Sequence, residues 1–301
     1  MTLRATIVIR AYNEGRHIGR LLAGLQGQHV RDFEIILVDS GSTDDTVALA
    51  ERNAVQVLHI APDEFTFGRS LNHGIAAAQG EFIVNISAHC YPMHDEWLGR
   101  LLAAFDDRQV ALAYGMQRGD GRSRFAERRF FEHYYPEVSN PRQTDPFCNN
   151  ANAAIRRALW EQNPYDESLT GLEDLAWASW ALHAGHALAY VAEAGVIHVH
   201  EESPQQVYNR YQREAIAMKE LLPHSRYKLR HAVSLFARYA WGDLQAAARE
   251  GVLLRKGWEI LWFRWMQHWG TYRGYRHTGR VTDRMRQVFY YSPEILTRNR
   301  R

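Results

Sequence analysis

The stretch that decides the fold is Ala5-Thr6-Ile7-Val8-Ile9-Arg10, which continues into Ala11-Tyr12-Asn13-Glu14-Gly15. The first six residues are mostly apolar and β-branched, which is typical of a buried strand, and the next five interrupt that pattern. Apolar residues then recur at helical spacing, at Ile18, Leu21, Leu22 and Leu25. The amino terminus is therefore predicted to form a strand, a turn and a helix in that order.

The same alternation continues along the chain. Short apolar runs at Phe33–Val38, Val55–His59 and Glu81–Ile86 predict three more strands, separated by helical patterns. Strands that alternate with helices favour a parallel sheet with helices on both faces, which is an α/β fold. Ligands of such sheets bind beyond the carboxyl ends of the strands. The residues expected there are Ala11 to Asn13, Asp39, and Ser87 to Cys90.

Four motifs accompany these elements: Ile-Arg-Ala-Tyr-Asn-Glu at 9–14, Val-Asp-Ser-Gly-Ser-Thr-Asp at 38–44, Phe-Gly-Arg-Ser-Leu-Asn-His-Gly at 67–74 and Gly-Glu-Phe-Ile at 80–83. Together they resemble the nucleotide-binding half of the family 2 inverting glycosyltransferases. The resemblance implies a GT-A fold, with a Rossmann-like and mostly parallel sheet, and a nucleotide-sugar donor. The motif that begins at Phe67 is similar to one in rhamnosyltransferase-like enzymes of bacterial surface polysaccharide assembly.

The resemblance implies that the donor lies against the loops after the first strands. Asp39 has the chemistry to accept the imide N–H of a uracil or thymine, or alternatively to cap the turn that follows it. Arg69 offers a forked donor to phosphate or base, or is a solvated residue at a helix start. The expected donor-binding residues are Ala11, Tyr12, Asn13, Glu14, Asp39, Ser40, Arg69, Asn72, Ser87 and Ala88.

His89 stands where the family usually has an Asp-x-Asp cluster that holds Mg²⁺ or Mn²⁺ against the donor diphosphate. Either its imidazole binds a borderline metal such as Mn²⁺, or cations neutralise the phosphates with little help from a metal. Mg²⁺ prefers oxygen ligands and would be poorly served. The plainer alternatives are a histidine that stabilises a tight turn, and a small buried thiol at Cys90.

Two later histidines are candidates to complete a metal site. His198 and His200 lie two residues apart in the run Val196-Ile197-His198-Val199-His200, which predicts a strand with both side chains on one face. The two imidazoles can share a metal with His89, and we expect one of them, rather than both, to contact the donor phosphates. The alternative is a pair of histidines with a purely structural role.

The pair Glu173-Asp174 matches the Glu-Asp pair that opens a helix in the family. The resemblance implies that Asp174 is the general base, which takes the proton of the acceptor hydroxyl, and that Glu173 orients the loop or the acceptor. Acidic residues at a helix start are also ordinary partners of the helix dipole. The expected acceptor-binding residues are Asn149, Asn150, Asn152 and Trp177.

The charge is divided unevenly between two expected domains. Residues 1–204 carry 17 Lys+Arg and 27 Asp+Glu, whereas 205–301 carry 19 and 7. The first range is the expected catalytic domain. The second predicts a basic helical extension with helices at 205–222, 227–248 and 251–269, in which tryptophans alternate with arginines. That pattern suits an anionic lipid headgroup layer, or alternatively a tryptophan core with solvated arginines. No nucleic-acid-binding motif accompanies the charge.

The sequence as a whole predicts an inverting glycosyltransferase. It would move a hexosyl or deoxyhexosyl group to a glycan or lipid-linked glycan in surface polysaccharide assembly. Because neither a signal peptide nor a spanning helix is recognised, we expect a cytoplasmic enzyme, peripheral at the inner face of the cell membrane. The missing acidic cluster also fits a non-catalytic nucleotide- or glycan-binding scaffold. A nucleotidyltransferase is disfavoured because a glycine-rich phosphate loop is absent.

Overall fold

The computed structural model describes residues 3–291. Its nine strands form one mixed sheet. The strands are β1 (Ala5–Ala11), β2 (Phe33–Asp39), β3 (Gln56–His59), β4 (Phe82–Ser87), β5 (Cys90–Pro92), β6 (Val110–Arg118), β7 (Asn140–Gln143), β8 (Asn152–Arg156) and β9 (Ala187–His198). The four strands predicted from apolar runs are confirmed as β1 to β4.

Eleven α-helices occur in the described part of the chain. They are α1 (Ile18–Gln26), α2 (Thr46–Arg52), α3 (Phe67–Ala76), α4 (Trp97–Ala103), α5 (Phe125–Tyr134), α6 (Arg157–Trp160), α7 (Glu173–His183), α8 (Pro204–Leu221), α9 (Leu229–Arg249), α10 (Leu253–Arg276) and α11 (Asp283–Tyr290). The three predicted carboxyl-terminal helices are confirmed as α8 to α10. The last of them runs past the predicted end at 269 to Arg276.

The order of the strands is β3-β2-β1-β4-β8-β6-β9-β5, with β7 paired to β9. The first four strands are parallel, so their carboxyl ends lie side by side. Ala11 is opposite Asp39 across β1 and β2, and Arg10 is opposite Ser87 across β1 and β4. This register brings the three loops with the predicted donor-binding residues to one edge of the sheet.

Strand β1 packs directly on helix α1. Ile7 and Ile9 are fully buried and pack with Leu21 and Leu22 of α1 on one face of the sheet. Each buried aliphatic side chain of this size stabilises the fold by roughly 1.5–3 kcal/mol. Strand and helix therefore hold the loop between them in place.

A bulge between β6 and β9 sets the position of a later site residue. Gly115 pairs at the level of Val191, but Gln117 pairs at the level of Val196, so β9 advances farther than β6. A Cβ atom on Gly115 would lie 2.0 Å from the carbonyl oxygen of Ala194, so only glycine fits. The bulge aligns Gln117 with the end of β9, where His198 lies.

The chain forms two compact units. The first comprises Met1–Asp120, Glu132–Ser168 and Glu173–Val199, as far as described, and the second comprises Gly121–Phe131, Leu169–Leu172 and His200–Arg301. The longest segment of the second unit begins at His200, near the predicted boundary at 204/205. It also takes two short segments from the range predicted to be purely catalytic. The domain division at 1–204 and 205–301 stays a prediction.

The second unit has its own core. Phe125 packs with Ala247 and Ile260. Phe263 packs with Ala126 and Val207. Glycines let α10 approach α8 closely, because a Cβ on Gly270 would lie 2.5 Å from the carbonyl oxygen of Tyr208. Within residues 3–291, no helix combines the length and hydropathy needed to cross a bilayer.

Candidate active site

The loop after β1 is fastened to the loop after β2. The carbonyl of Ala11 accepts a hydrogen bond from the Ser40 N–H at 3.1 Å. Asn13, which adopts a left-handed φ of 54°, accepts the Thr43 N–H on its amide oxygen at 2.8 Å. The N–H of Glu14 donates to the Thr46 hydroxyl at 2.7 Å. These hydrogen bonds therefore join the two predicted donor-binding loops into one surface.

Asp39 is buried at the end of β2. Its carboxylate accepts the N–H groups of Gly41 at 3.0 Å and Ser42 at 3.1 Å, and it lies 3.4 Å from Nδ1 of His59. The turn-capping alternative for Asp39 is thus realised. A carboxylate has about four acceptor sites, so it can also serve a base N–H.

Arg69 and Asn72 lie on α3. Nε of Arg69 donates to the Glu167 carboxylate at 2.8 Å, and its side chain is about half exposed. The Asn72 amide donates to Tyr165 and Glu167 and accepts from Tyr165 and Trp160. A donor contact by Asn72 would therefore require one of these hydrogen bonds to break, whereas Arg69 can turn from Glu167 toward an anion.

His89 lies in the turn between β4 and β5, at the sheet edge where the sequence predicts it. Its Nδ1 is 2.8 Å from Oε1 of Glu14, and its carbonyl accepts the Val199 N–H at 3.2 Å. Its ring stacks on that of His198, with centroids 5.1 Å apart. Ser87 and Ala88 precede it at the same edge. Cys90 is fully buried, and burial raises the pKa of its thiol well above the ordinary value, as expected for a packing residue.

His198 and His200 do not share a strand face as predicted, because β9 ends at His198. His198 is buried, and its Nδ1 lies 2.7 Å from Oε1 of Gln117. His200 begins the last segment of the second unit, and its Nδ1 lies 2.7 Å from Oε1 of Glu127 in the same unit.

Within the second unit, Glu127, His200 and Glu202 offer ligand atoms within 4.8 Å of one another. Arg210 binds both carboxylates, at 2.9 and 2.6 Å. Burial raises the pKa of Glu127, but His200 and Arg210 outweigh it and lower that pKa to about 2. Glu127 is therefore an anion that orients His200.

The three predicted metal ligands share one arrangement. In each of His89, His198 and His200, Nδ1 meets a side-chain oxygen. Metal-bound histidines are typically held in this way, because the bond at one nitrogen fixes the tautomer that presents the other nitrogen to the ion. Imidazole nitrogens presented in this way suit Zn²⁺, and Mn²⁺ accepts them more readily than Mg²⁺ does.

Glu173 and Asp174 form the first turn of α7, as predicted, and both are buried. Oε1 of Glu173 lies 3.6 Å from Nη1 of Arg10 and accepts the Asn150 amide at 3.3 Å. Asp174 accepts the backbone N–H of Asn150 at 3.0 Å and of Leu175 at 2.8 Å. Strand β1, the loop before β8 and α7 therefore meet at this carboxylate pair.

The environment of Asp174 raises its pKa to about 7. Burial is the largest cause, and the charge of Glu173 adds to it. The hydrogen bonds from Asn150 and Leu175 and the charge of Arg10 act in the opposite direction. A carboxylate with a pKa near neutrality is suited to take and release a proton.

The predicted acceptor residues are divided by the structure. Asn149 is partly exposed, and Asn150 holds the carboxylate pair. Asn152 needs correction, because it is fully buried and its amide is used by Trp97, Met116 and Ala194. Trp177 also needs correction, because it is buried in the core and donates to the carbonyl of Asn163. Both are placed to stabilise the fold.

Three residues of the site were not predicted from the sequence. Arg10 pairs with Glu173, and Gln117 holds His198. His17 is hydrogen-bonded to Tyr91 and meets His89 edge to face, with centroids 6.2 Å apart. The one available signal was Arg10, a charge at the end of an otherwise apolar strand.

The chain is similar in sequence to two glycosyltransferases from Salmonella. The O-antigen chain rhamnosyltransferase WbaN of Salmonella anatum is 28% identical over 218 residues, covering 68% of this chain and 69% of that protein. RfbN of Salmonella typhimurium, an O-antigen chain rhamnosyltransferase, is 25% identical over 221 residues, covering 69% and 70%.

Solved structures share the fold. The mannosyltransferase PcManGT from Pyrobaculum calidifontis, in complex with GDP-Man and Mn²⁺, matches with a TM-score of 0.60 and 18% identity, covering 90% of this chain and 84% of that chain. TarS 1-349 of S. aureus with UDP-GlcNAc matches with a TM-score of 0.55 and 16% identity, covering 90% and 92%. The predicted GT-A fold is thereby confirmed. The sequence model described as "Glycosyl transferase family 2" matches residues 6–162, and the chain belongs to that family.

Proposed function

We propose that this glycosyltransferase moves a sugar from a nucleotide-sugar donor to a glycan or lipid-linked glycan with inversion, in surface polysaccharide assembly. The observation that carries the proposal is the buried pair Glu173 and Asp174, with the pKa of Asp174 raised to about 7. Arg10 and Asn150 fix this pair at the edge where the donor-binding loops end.

Asp174 is the proposed general base. The acceptor hydroxyl oxygen attacks the anomeric carbon from the face opposite the nucleotide, and its proton passes to a carboxylate oxygen of Asp174. The bond between the anomeric carbon and the phosphate oxygen breaks, and the nucleotide leaves with the electron pair. Glu173 positions Asp174 through Asn150 and keeps its pKa high enough for proton transfer at neutral pH.

His89 and His198 are the proposed metal ligands. His200, the third predicted ligand, lies two residues farther along the chain. A divalent ion bound there would neutralise charge on the departing phosphates. Glu14 and Gln117 orient the two imidazoles. PcManGT carries Mn²⁺ in its structure, which supports Mn²⁺ as the ion to test.

The proposed donor sugar is a hexose or deoxyhexose. The names of WbaN and RfbN favour a deoxyhexose, rhamnose, as the first to test. Asp39 favours a base with an imide N–H, such as uracil or thymine. Asn149 is the partly exposed asparagine available to acceptor hydroxyls. We further propose that the enzyme works in the cytoplasm beside the membrane that carries a lipid-linked acceptor.

The decisive experiment is a donor screen with UDP-, dTDP-, GDP- and CMP-sugars, with and without Mn²⁺. One donor class should be hydrolysed slowly or transferred, and Asp174→Asn should lose activity by at least ~100-fold while nucleotide binding is retained. Asp45→Asn, on the exposed start of α2, is the matched control. Nucleotide binding without turnover of any donor would instead favour the non-catalytic scaffold.

A further inference from the structure

A row of large apolar side chains runs along the outer side of α10. Its members recur every three or four residues, so they share one face of the helix. They are Leu254, Trp258, Leu261, Trp265, Trp269 and Tyr272. Trp258 is 77% exposed and Leu254 is fully exposed, whereas Ile260 and Phe263 on the opposite face fill the core of the second unit. Leu254 and Trp258 therefore do not contribute to the core of the second unit, and the remaining members of the row are partly exposed beside them.

Helix α9 extends this apolar surface. Leu229, Val233 and Trp241 follow one another along its exposed side, and Trp241 is 65% exposed. The ring of Phe236 on α9 meets that of Trp265 on α10 edge to face, with centroids 5.5 Å apart. The two rows are therefore neighbours. We call Leu229, Val233, Trp241, Leu254, Trp258 and Trp265 the α9–α10 face.

Charge around the α9–α10 face is strongly positive. Residues 229–276 contain eight Lys+Arg and three Asp+Glu. Each acid already has a basic partner: Asp243 pairs with Arg264, Glu250 with Arg128 and Glu259 with Lys256. The exposed basic residues left to face solvent along the two helices are Arg230, Arg238, Arg249, Arg255, Arg273 and Arg276.

We propose that the α9–α10 face docks on an anionic lipid bilayer. Tryptophan suits the boundary between headgroups and acyl chains, and the exposed leucines and valine can enter the apolar layer. Arginines beside them attract anionic headgroups. A nucleic acid would use the arginines but leave Leu254 and Val233 in water. A second copy of the chain would place like charges against each other. The bilayer satisfies both the charge and the apolar area.

Docking by the α9–α10 face does not depend on the sugar-transfer chemistry, so membrane binding and sugar transfer can be tested separately. Full-length protein would be sedimented with phosphatidylcholine vesicles that contain phosphatidylglycerol, and with vesicles of phosphatidylcholine alone. Binding should occur on the anionic vesicles at low salt and weaken as salt rises. Tryptophan emission should shift to shorter wavelength on binding.

Two variant pairs test the residues. Leu254→Ser combined with Trp258→Ser should weaken vesicle binding by at least about tenfold, whereas Val138→Ser, also 77% exposed but in the first unit, should not. Arg238→Glu combined with Arg255→Glu should weaken it by a similar factor, whereas Arg108→Glu in the first unit should not.

The Leu254/Trp258 and Arg238/Arg255 variants should keep the parent's nucleotide binding, because their altered side chains are exposed on the second unit. Vesicle binding that is equal in the parent and in the Leu254/Trp258 variant would overturn the proposal, as would an absence of binding to anionic vesicles. Concentration-dependent dimerisation that this variant abolishes would show that the face serves self-association instead.

Discussion

Nη1 of Arg10 lies 3.6 Å from Oε1 of Glu173, so a cation on β1 faces the residue next to the proposed base. The two charges act on Asp174 in opposite directions, since Glu173 raises its pKa and Arg10 lowers it. A base must be ionised to accept a proton. The rate of sugar transfer should therefore rise with pH through about 7.

Changing either charge should move the rising, acidic limb of the pH–rate profile in a predictable direction. Glu173→Gln should move its midpoint to lower pH, and Arg10→Met should move it to higher pH, each by roughly one pH unit. The measurement is the pH profile of kcat/KM for the parent and both variants. Shifts in the same direction, or none, would contradict the assignment of Asp174 as the base.

Metal affinity should depend on the partner of His89. Glu14→Gln weakens the acceptor on Nδ1 of His89, so Mn²⁺ affinity should fall about 10–100-fold. Glu51→Gln, on the exposed side of α2, is the control. Calorimetric titration of Mn²⁺ in the presence of nucleoside diphosphate is the readout, and an unchanged affinity would separate Glu14 from the metal.

The two explanations for His89 predict opposite results for His89→Asp. If imidazole binds the ion, a carboxylate should preserve metal-dependent activity and move the preference toward Mg²⁺. The parent should then lose activity as pH falls, because a protonated ring cannot coordinate. If His89 instead acts as a cation toward phosphate, His89→Asp should weaken nucleotide binding and chelation should have little effect. Full activity of His89→Ala in EDTA would show that His89 only stabilises the turn in which it lies.

Asp39→Ala should weaken binding of a uracil or thymine nucleotide about 10–100-fold, because a charge-assisted hydrogen bond to the base is lost. It should affect a cytosine nucleotide less, since cytosine has no imide N–H. Asp44→Ala is the control for lost turn stability, because it removes hydrogen bonds to Gly15 and Thr46 in the neighbouring turn. Equal losses in both variants, for both bases, would assign Asp39 to turn stability alone.

The buried ion pair of the second unit should be costly to break. Nε of Arg264 lies 2.7 Å from Oδ2 of Asp243, and both side chains are almost fully buried. Asp243→Ala should lower the free energy of unfolding by about 3–5 kcal/mol, because it leaves an uncompensated buried charge. Asp243→Leu combined with Arg264→Met should cost less. Denaturant unfolding measures both, and a double variant that is less stable than Asp243→Ala would contradict this reasoning.

Local pattern was enough to predict part of this fold. Apolar runs bounded by turn residues located β1 to β4, and helical spacing located α8 to α10, because these signals arise from neighbours in sequence. Glu173-Asp174 was singled out by its resemblance to the family's Glu-Asp pair, because acidic residues at a helix start are by themselves ordinary partners of the helix dipole. Asn152 and Trp177 were misassigned because nothing local distinguishes a buried polar or aromatic residue from an exposed one.

Long-range pairings could not be predicted in the same way. Glu14 meets His89 only because β1 and β4 are adjacent, and Gln117 meets His198 only because of the bulge in β9. Both depend on strand order. Asparagine is common in left-handed turns, so the backbone conformation of Asn13 could be expected from its residue type. Its hydrogen bond to the loop after β2 could not, because the sequence does not show which residue it would meet.

The interleaved division of the chain constrains how the protein is made. Phe125 leaves the ribosome long before Ala247 and Ile260, the residues that cover it, have been synthesised. The second unit therefore cannot complete its core before Ile260 and Phe263 have been synthesised, and Phe125 and Ala126 stay uncovered on the nascent chain until then. A carboxyl-terminal truncation would leave that segment permanently without its partners. Chaperone dependence and poor yield of shortened forms are the expected signs, and grafting this carboxyl-terminal region onto a relative would require moving residues 121–131 and 169–172 with it.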